Sequence, residues 1–493
     1  IFRMIRIIMQ SCIFPYVRTK SSFFYDFSLT LELLQGLYLH PHGGEVKMKK
    51  DYIHKQFWNY VLPSMFTMLL SGFYAIVDGL FVGNAVGDTA LGAINLAYPI
   101  QVILNATAIG LGIGGSVVMS RSRGDGKEDK ARHAMGSTLA LLLVCGIILS
   151  VGLLALHPML LRMLGAKGAM YAQARSYIIV VLMGGLLPVL GNGLNPLLRN
   201  YGKTFLATAI MSSGLMTNII LDYLFVFRFH MGLAGAAWAT ITAQGVVAVL
   251  TLLYMYAREL KSYSRKDIVP DVPLVQSIVR IGLSPFGQTM APSLVIVLTN
   301  WMCLRYGGDA AVTIYSVVSY VLCSAQLLLQ GIGDGVQPLI SFYYGAKKED
   351  KIHILYRKAF FVTIAVSLIL CIAVVLFLNP LTALFGISDA IFEGAKTAIL
   401  ITTLSFPFLG ITRVTSAIFY ATEKTRNSTF LVYMEPCLLL PLSLFALSFL
   451  FQLNGIWMAY PAAQLILCGI ALFMKNPLHA PAALPQTQEQ TLC

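Results

Sequence analysis

Long apolar segments recur along almost the whole chain and constrain its fold more strongly than any other feature. A helix that crosses a bilayer needs about 20 mostly apolar residues. From Met48 onward we predict twelve membrane spans, near residues 57–83, 90–119, 136–158, 170–196, 204–227, 233–256, 276–304, 309–340, 358–379, 391–416, 428–450 and 454–474. Only 12% of the 493 residues are charged, whereas a soluble protein carries about a quarter. The sequence therefore predicts an all-α polytopic membrane protein and excludes a soluble enzyme, a disordered chain or a nucleic-acid binder.

The twelve runs form two sets of six that match each other at an offset of 221 residues. Gly110 aligns with Gly331, and the sequence KEDK stands both at 127–130 and at 348–351. Because each set has an even number of spans, both halves enter the membrane from the same side, and an axis along the membrane normal relates them. We predict two parallel six-helix bundles that face each other across a cleft, which is typical of an alternating-access carrier.

Charge and composition divide the chain into five segments. We expect residues 1–47 to be a non-native upstream extension or a leader, because Met48 opens a start with two lysines behind it. The rest divides into a first lobe, a basic cytoplasmic linker, a second lobe and a disordered polar tail, at 48–256, 257–275, 276–475 and 476–493. Basic residues cluster in the loops after spans 2, 6, 8 and 10, which predicts a bacterial cytoplasmic-membrane protein with both termini in the cytoplasm.

Acidic side chains inside the apolar runs are the candidate functional residues, because a charge in hydrocarbon is costly unless it is paired or hydrated. Asp78 and Asp222 lie in the outer halves of spans 1 and 5. Asn218 shares the helical face of Asp222, and Thr240 lies at the same level in span 6. Oxygen ligands of this kind suit a hard cation such as Na⁺, and a buried carboxylate can instead hold a proton. We predict a cation site that couples transport to an inward gradient of Na⁺ or H⁺.

The second half lacks this set, since hydroxyl residues stand at the positions equivalent to the two aspartates. Its own acids, Asp334 and Glu435, fall in the inner halves of spans 8 and 11. A role as structural partners of polar groups on neighbouring helices remains open for all of these acids. The residues that we assign to a substrate cavity are Gln288, Asn300, Asp334, Gln337 and Glu435.

No motif for covalent chemistry accompanies these acids. The eight His lie near span ends or outside the apolar core and no two share a helical face, and the eight Cys show no paired spacing. GLGIGG at 110–115 satisfies GxGxxG, but it lies inside an apolar run with no preceding strand, so close helix packing is the better interpretation. We predict no catalytic residue, no cofactor and no nucleic-acid partner.

Several passages resemble the multidrug and toxic compound extrusion (MATE) transporters. The similarity covers 55–475 and is strongest in VDGLFVGNAVGDTALGAINLAYPI and GIGDGVQPLISFYYGAKK. The resemblance implies the twelve-span fold with two six-helix lobes, and the export of cationic or amphipathic compounds driven by Na⁺ or H⁺. It also implies that the first-lobe cation site of this family corresponds to Asp78, Asn218, Asp222 and Thr240.

One departure from the family pattern concerns span 7, where one subgroup carries an acid. This span offers Gln288 and Asn300 but no carboxylate, which makes the chain more similar to the MepA-type and DinF-type bacterial branches. We expect a monomeric antiporter for small drugs or toxic organic cations. Two alternatives remain: a lipid-linked precursor flippase of the same superfamily, which needs a strongly basic cavity, and an intramembrane enzyme. The scarcity of Lys and Arg within spans speaks against the former, and the positions of the His residues against the latter.

Overall fold

The computed structural model of the chain describes residues 50–85, 88–258, 263–384 and 389–475. The predicted extension or leader at 1–47, the predicted tail at 476–493 and part of the predicted linker lie outside these residues. Contacts divide the chain into Ile1–Tyr52, of which only the start of the first helix is described, and Ile53–Cys493, which holds every feature discussed below.

In the described part of the first half there are seven helices. They are α1 (Lys50–Ala85), α2 (Asp88–Gly124), α3 (Glu128–Met163), α4 (Gly168–Met183), α5 (Leu186–Asn200), α6 (Thr204–Asp222) and α7 (Gly232–Arg258). A bend of 57° separates α4 from α5, so these two short helices together form one broken span. A π-helical turn, Tyr223–Arg228, extends α6.

The second half repeats this plan after a short linker helix, α8 (Arg265–Ile268). Its helices are α9 (Val272–Gly345), α10 (Glu349–Leu376), α11 (Leu378–Leu384), α12 (Asp389–Thr403), α13 (Phe406–Ala421), α14 (Thr425–Met434) and α15 (Leu440–Lys475). A bend of 41° separates α12 from α13, as between α4 and α5. A π-helical turn, Glu435–Leu439, joins α14 to α15.

The described helices are consistent with the twelve predicted spans. Seven segments are long and apolar enough to cross a membrane, or nine if each bent pair is one span. Two of the seven, of 80 and 50 residues, are long enough for two spans each, and each has a kink at one non-helical residue, Gly308 or Gln452. Division at these kinks, together with α1, gives the predicted number. Gly308 has a φ of 61°, which glycine adopts without steric strain.

Each half has its own apolar core, and the two cores exchange the starts of their leading helices, whereas later residues of both helices belong to the core of their own half. Phe57 and Val61 at the start of α1 are fully buried in the core of the second half. Conversely, Ile278 and Ile281 near the start of α9 are buried in the core of the first half. Phe57 and Ile278 are 221 residues apart, so the exchange follows the sequence repeat and has the predicted pseudo-twofold symmetry.

Candidate functional site

Three of the four predicted cation ligands are buried side chains at one level of the first half. Asn218 and Asp222 lie one turn apart on α6 with exposures of 1% and 0%, and Thr240 on α7 is 4% exposed. Helices α6 and α7 are antiparallel neighbours, because Gly214 packs against Val247, and Gly235 against the π-helical turn after α6. Thr240 lies between these two contacts, at a level between Asn218 and Asp222.

The fourth predicted ligand, Asp78, has its backbone in α1, and its side chain lies outside the described part of the chain. Helix α1 runs beside α6: the Thr67 and Thr208 hydroxyls are 2.8 Å apart, and Thr204 donates a hydrogen bond of 2.8 Å to the Asn59 carbonyl. These pairs are separated by 141 and 145 residues. If the same sequence separations hold further along the two helices, position 78 of α1 lies at the level of Asn218 and Asp222 on α6.

The chemistry of this group fits a small cation. Among the described residues, neither the amide nitrogen nor the amide oxygen of Asn218 has a hydrogen-bond partner. A buried polar group without a partner costs about 1–3 kcal/mol, which an ion or a water molecule would offset. A carboxylate, an amide oxygen and a hydroxyl are ligands that a hard cation accepts. Asp222, Asn218 and Thr240 could hold Na⁺ through these oxygens.

The acids of the second half are surrounded differently. Glu435 accepts a hydrogen bond of 3.3 Å from the Tyr460 hydroxyl, and its other oxygen lies 3.7 Å from Nη2 of Arg413. Both members of this ion pair are 4% exposed. Asp334 is also buried; it forms a side-chain hydrogen bond with Gln330 and interacts electrostatically with two arginines, Arg199 and Arg413.

Sequence reasoning missed these two arginines. Arg413 lies inside the predicted span 391–416, so its position was a signal that could have been used. Arg199 stands just after the predicted span 170–196, in a position that resembles an ordinary loop residue. In the structure Arg199 is buried at the end of α5, and its Nη1 donates a hydrogen bond of 2.8 Å to the Ser64 hydroxyl.

The remaining predicted cavity residues do not form one group. Gln288 is buried and donates a hydrogen bond of 3.2 Å to the Ser416 hydroxyl within the second half. Asn300 is half-buried further along α9. Gln337 exchanges two hydrogen bonds of 3.1 Å with the Asn200 amide of the first half. Gln337 is therefore part of the contact between the halves in this conformation.

That contact lies at one end of the molecule, which we call the basic end: the end with loops 125–127, 201–203, 346–348 and 422–424. Helices from the two halves approach closely there through a glycine seam, made of Gly110, Gly114, Gly124, Gly282, Gly331, Gly335 and Gly345. A Cβ added at any of these positions would lie 2.0–2.9 Å from a backbone atom of the opposite half. Only glycine permits such an approach.

Polar contacts reinforce the seam. Ser120 donates a hydrogen bond of 3.1 Å to the Pro338 carbonyl, and Arg121 forms an ion pair with Glu423 at the exposed rim. A separate cavity of about 230 Å³ opens at the basic end of the first half, lined in part by Arg123 and Tyr201. It lies at the opposite end of the bundle from the cation group on α6.

The exterior of the bundle identifies the class of protein. Large apolar side chains such as Ile148, Ile369 and Phe449 are exposed on the outer faces of α3, α10 and α15. Exposed apolar surface on helices of membrane-spanning length requires a lipid environment. The chain is an integral membrane protein built from two repeated helical halves.

Comparison with known proteins identifies the family. The MatE family model matches residues 63–224 in the first half and 287–445 in the second. The chain belongs to the MatE family, the multidrug and toxic compound extrusion transporters, which confirms the resemblance found in the sequence.

Curated relatives and solved structures agree with this assignment. The chain is similar to the multidrug export protein MepA of Staphylococcus haemolyticus, with 26% identity over 87% of this chain and 95% of that protein. Its identity to MepA of Staphylococcus aureus strain N315 is 25%, over 86% of this chain and 94% of that protein.

Among solved structures, an outward-facing multidrug resistance MATE transporter superimposes with a TM-score of 0.82 at 22% identity, over 86% of this chain and 96% of that chain. A MOP superfamily transporter from Pyrococcus furiosus gives a TM-score of 0.81 at 22% identity, with the same coverage of both chains. These likenesses confirm the predicted fold.

Proposed function

We propose that this protein is a secondary active efflux transporter that exchanges cationic or amphipathic organic compounds for Na⁺ or H⁺. The observation that carries the proposal is the buried group on α6 and α7, where Asn218 and Asp222 lie one turn apart beside Thr240. An intramembrane carboxylate with polar oxygens around it is suited to binding a small cation. The names of the relatives, which describe multidrug export, support the direction and the class of substrate.

The basic end faces the cytoplasm in this proposal. Loops rich in Lys and Arg stay on the cytoplasmic side of a membrane, and the sequence RSRGDGKEDKAR and its partner GAKKEDK both lie there. Both termini are then cytoplasmic, and the protein acts as a monomer in a bacterial cytoplasmic membrane. Because the glycine seam closes this end, the conformation described here is closed toward the cytoplasm in this proposal.

Transport follows from alternation between two arrangements of the halves. A drug enters the cleft from the cytoplasm or the inner leaflet while the basic end is open, and the halves then rock until the glycine seam closes. External Na⁺ or H⁺ loads Asp222 and Asp78, and this loading rearranges α1 and favours release of the drug. The cation gradient drives the cycle because the cation binds one arrangement better than the other.

The flippase alternative needs excess positive charge in the central cavity to hold a pyrophosphate. The two buried arginines do not supply it: Arg413 is paired with Glu435, and Arg199 interacts with Asp334. With the charges balanced, the interior favours a cationic or amphipathic drug over a polyanionic lipid. Membership of a transporter family is consistent with the expectation that the chain is not an enzyme.

The test is dye efflux from proteoliposomes with a Na⁺ gradient or a pH gradient imposed separately. We expect one gradient to drive efflux, and Asp222→Asn and Asp78→Asn to abolish that coupling. Asp309→Asn is the matched control, since this carboxylate lies on the exposed turn after Gly308; it should behave as the parent protein does. Unchanged gradient-driven efflux in the Asp222 and Asp78 variants would remove these carboxylates from the mechanism.

A further inference from the structure

Four of the buried charged side chains form a group across the contact between the halves. Asp334, Arg413 and Glu435 belong to the second half, and Arg199 comes from the first. Hydrogen bonds fix the contact that brings them together. Asn200, next to Arg199, exchanges two hydrogen bonds with Gln337, which lies one turn from Asp334.

The charges in this group are divided unequally between the halves. Glu435 has its counter-charge within the second half, since Nη2 of Arg413 lies 3.7 Å from its carboxylate. Arg199 of the first half reaches the turn of α9 that carries Asp334. Its Nη1 donates a hydrogen bond of 2.8 Å to the Ser64 hydroxyl, and Ser64 packs against Gly335, the residue after Asp334. The opposite charges of Arg199 and Asp334 attract each other across this contact. When the halves separate at the basic end, Arg199 leaves with α5 while Asp334 stays on α9. The second half then retains two carboxylates and one guanidinium, a net charge of minus one at the wall of the cleft.

A carboxylate at the wall of a largely apolar cleft attracts a replacement cation, because an unpaired buried charge is strongly unfavourable. The inference that follows rests on the proposed function, and it identifies the part of the substrate that Asp334 contacts. We propose that Asp334 binds the positive charge of a monocationic organic substrate while the basic end is open, and that Arg199 takes the place of that charge when the basic end closes. Arg199 thus acts as a tethered competitor that displaces the substrate on the outward-facing side of the cycle.

The surroundings of Asp334 fit this class of substrate. Tyr420 is fully buried and lies one turn after Ala417, which packs against Gly333, the residue before Asp334. An aromatic ring beside a carboxylate favours an organic cation through its negative face. A compound with one delocalised positive charge satisfies both groups, whereas a neutral compound of the same shape leaves Asp334 without a counter-charge.

Binding of tetraphenylphosphonium to the purified full-length protein tests the proposal. We expect Asp334→Asn to weaken binding at least tenfold and Arg199→Gln to tighten it at least threefold, because the latter removes the competitor. Neutral triphenylphosphine oxide should bind all variants alike. Glu423→Gln is the matched control: it breaks the ion pair that Glu423 forms with Arg121 between the halves, at the exposed rim, where such pairs contribute little. Its dissociation constant should stay within about twofold of the parent value.

The opposite signs expected for Asp334→Asn and Arg199→Gln distinguish a role in substrate binding from a purely structural role. A purely structural role for the attraction between Asp334 and Arg199 would weaken binding in both variants, and that result overturns the proposal, as does an unchanged dissociation constant in Asp334→Asn. If Asp334→Asn does not fold, the sign of the Arg199→Gln effect decides alone. Efflux of tetraphenylphosphonium by the parent protein in proteoliposomes is measured in parallel. No gradient-driven efflux there refutes the proposed function, whereas efflux with unchanged binding in Asp334→Asn refutes only the role of Asp334.

Discussion

The glycine seam predicts that one added methyl group at the basic end will change the conformation of the whole transporter. In the closed arrangement a Cβ at Gly114 would lie 2.2 Å from the carbonyl oxygen of Ile278. Ordinary Cβ contacts begin at 3.4 Å, so the two helices would have to separate by about 1.2 Å. The same carbonyl belongs to the leading helix of the opposite half, so the strain acts directly on the contact between the halves.

Overpacking of this kind costs typically about 1–3 kcal/mol. The clash exists only while the basic end is closed, so Gly114→Ala should move the equilibrium toward the open arrangement by that amount. Since 1.4 kcal/mol is a factor of ten, the expected change is about 5- to 150-fold. Gly469→Ala is the matched control, because this glycine also lies within a helix and a Cβ there meets nothing within 4 Å.

The measurement is the distance between spin labels attached at Asp129→Cys and Asp350→Cys, after replacement of the eight native cysteines. Both positions are exposed, at equivalent places in the first turns of α3 and α10. We expect Gly114→Ala to shift the distance distribution to longer values and Gly469→Ala to leave it unchanged. Identical distributions in the two variants would refute the assignment of the glycine seam as the closing contact.

Two further predictions concern buried polar pairs. Arg413→Gln should lower the free energy of unfolding by about 3–5 kcal/mol because it leaves Glu435 as an uncompensated buried charge. Adding Glu435→Gln should restore part of this loss. Thermal unfolding measures both variants, and equal losses in the single and the double variant would contradict the reasoning. Asn200→Leu and Gln337→Leu should each weaken closure of the basic end by about 1–3 kcal/mol, because the amide oxygen of the remaining partner is left buried without a hydrogen bond. The double variant should lose less than the sum of the two, and additive shifts in the spin-label distances would count against a direct pair.

The fold was largely predictable because its determinants are local. The length of an apolar run fixes a membrane span, and the 221-residue repeat fixes the number and symmetry of the halves. The spacing of Asn218 and Asp222 likewise put both side chains on one helical face, and both are buried there. These features need only the periodicity of a helix and no knowledge of its neighbours.

Contacts between the halves were not predictable in the same way. The pairing of Asn200 with Gln337 joins residues 137 positions apart, and no sequence period indicates which faces meet or in which register. For the same reason Arg199 looked like a loop residue, although tertiary contacts bury it beside Asp334. Gln337 was assigned to the cavity by its polarity, whereas its position depends on whether the halves are together or apart.

The exchange of leading helices has a consequence for how such a molecule is assembled. With Phe57 buried among second-half residues and Ile278 among first-half residues, each repeat relies on the other to cover the start of its first helix. If the polypeptide were severed in its linker, each fragment would expose an apolar surface that the other covers in the closed arrangement. An ancestral single-repeat chain with the same packing would have covered this surface by pairing with a copy of itself, so duplication would have joined two subunits that already packed together.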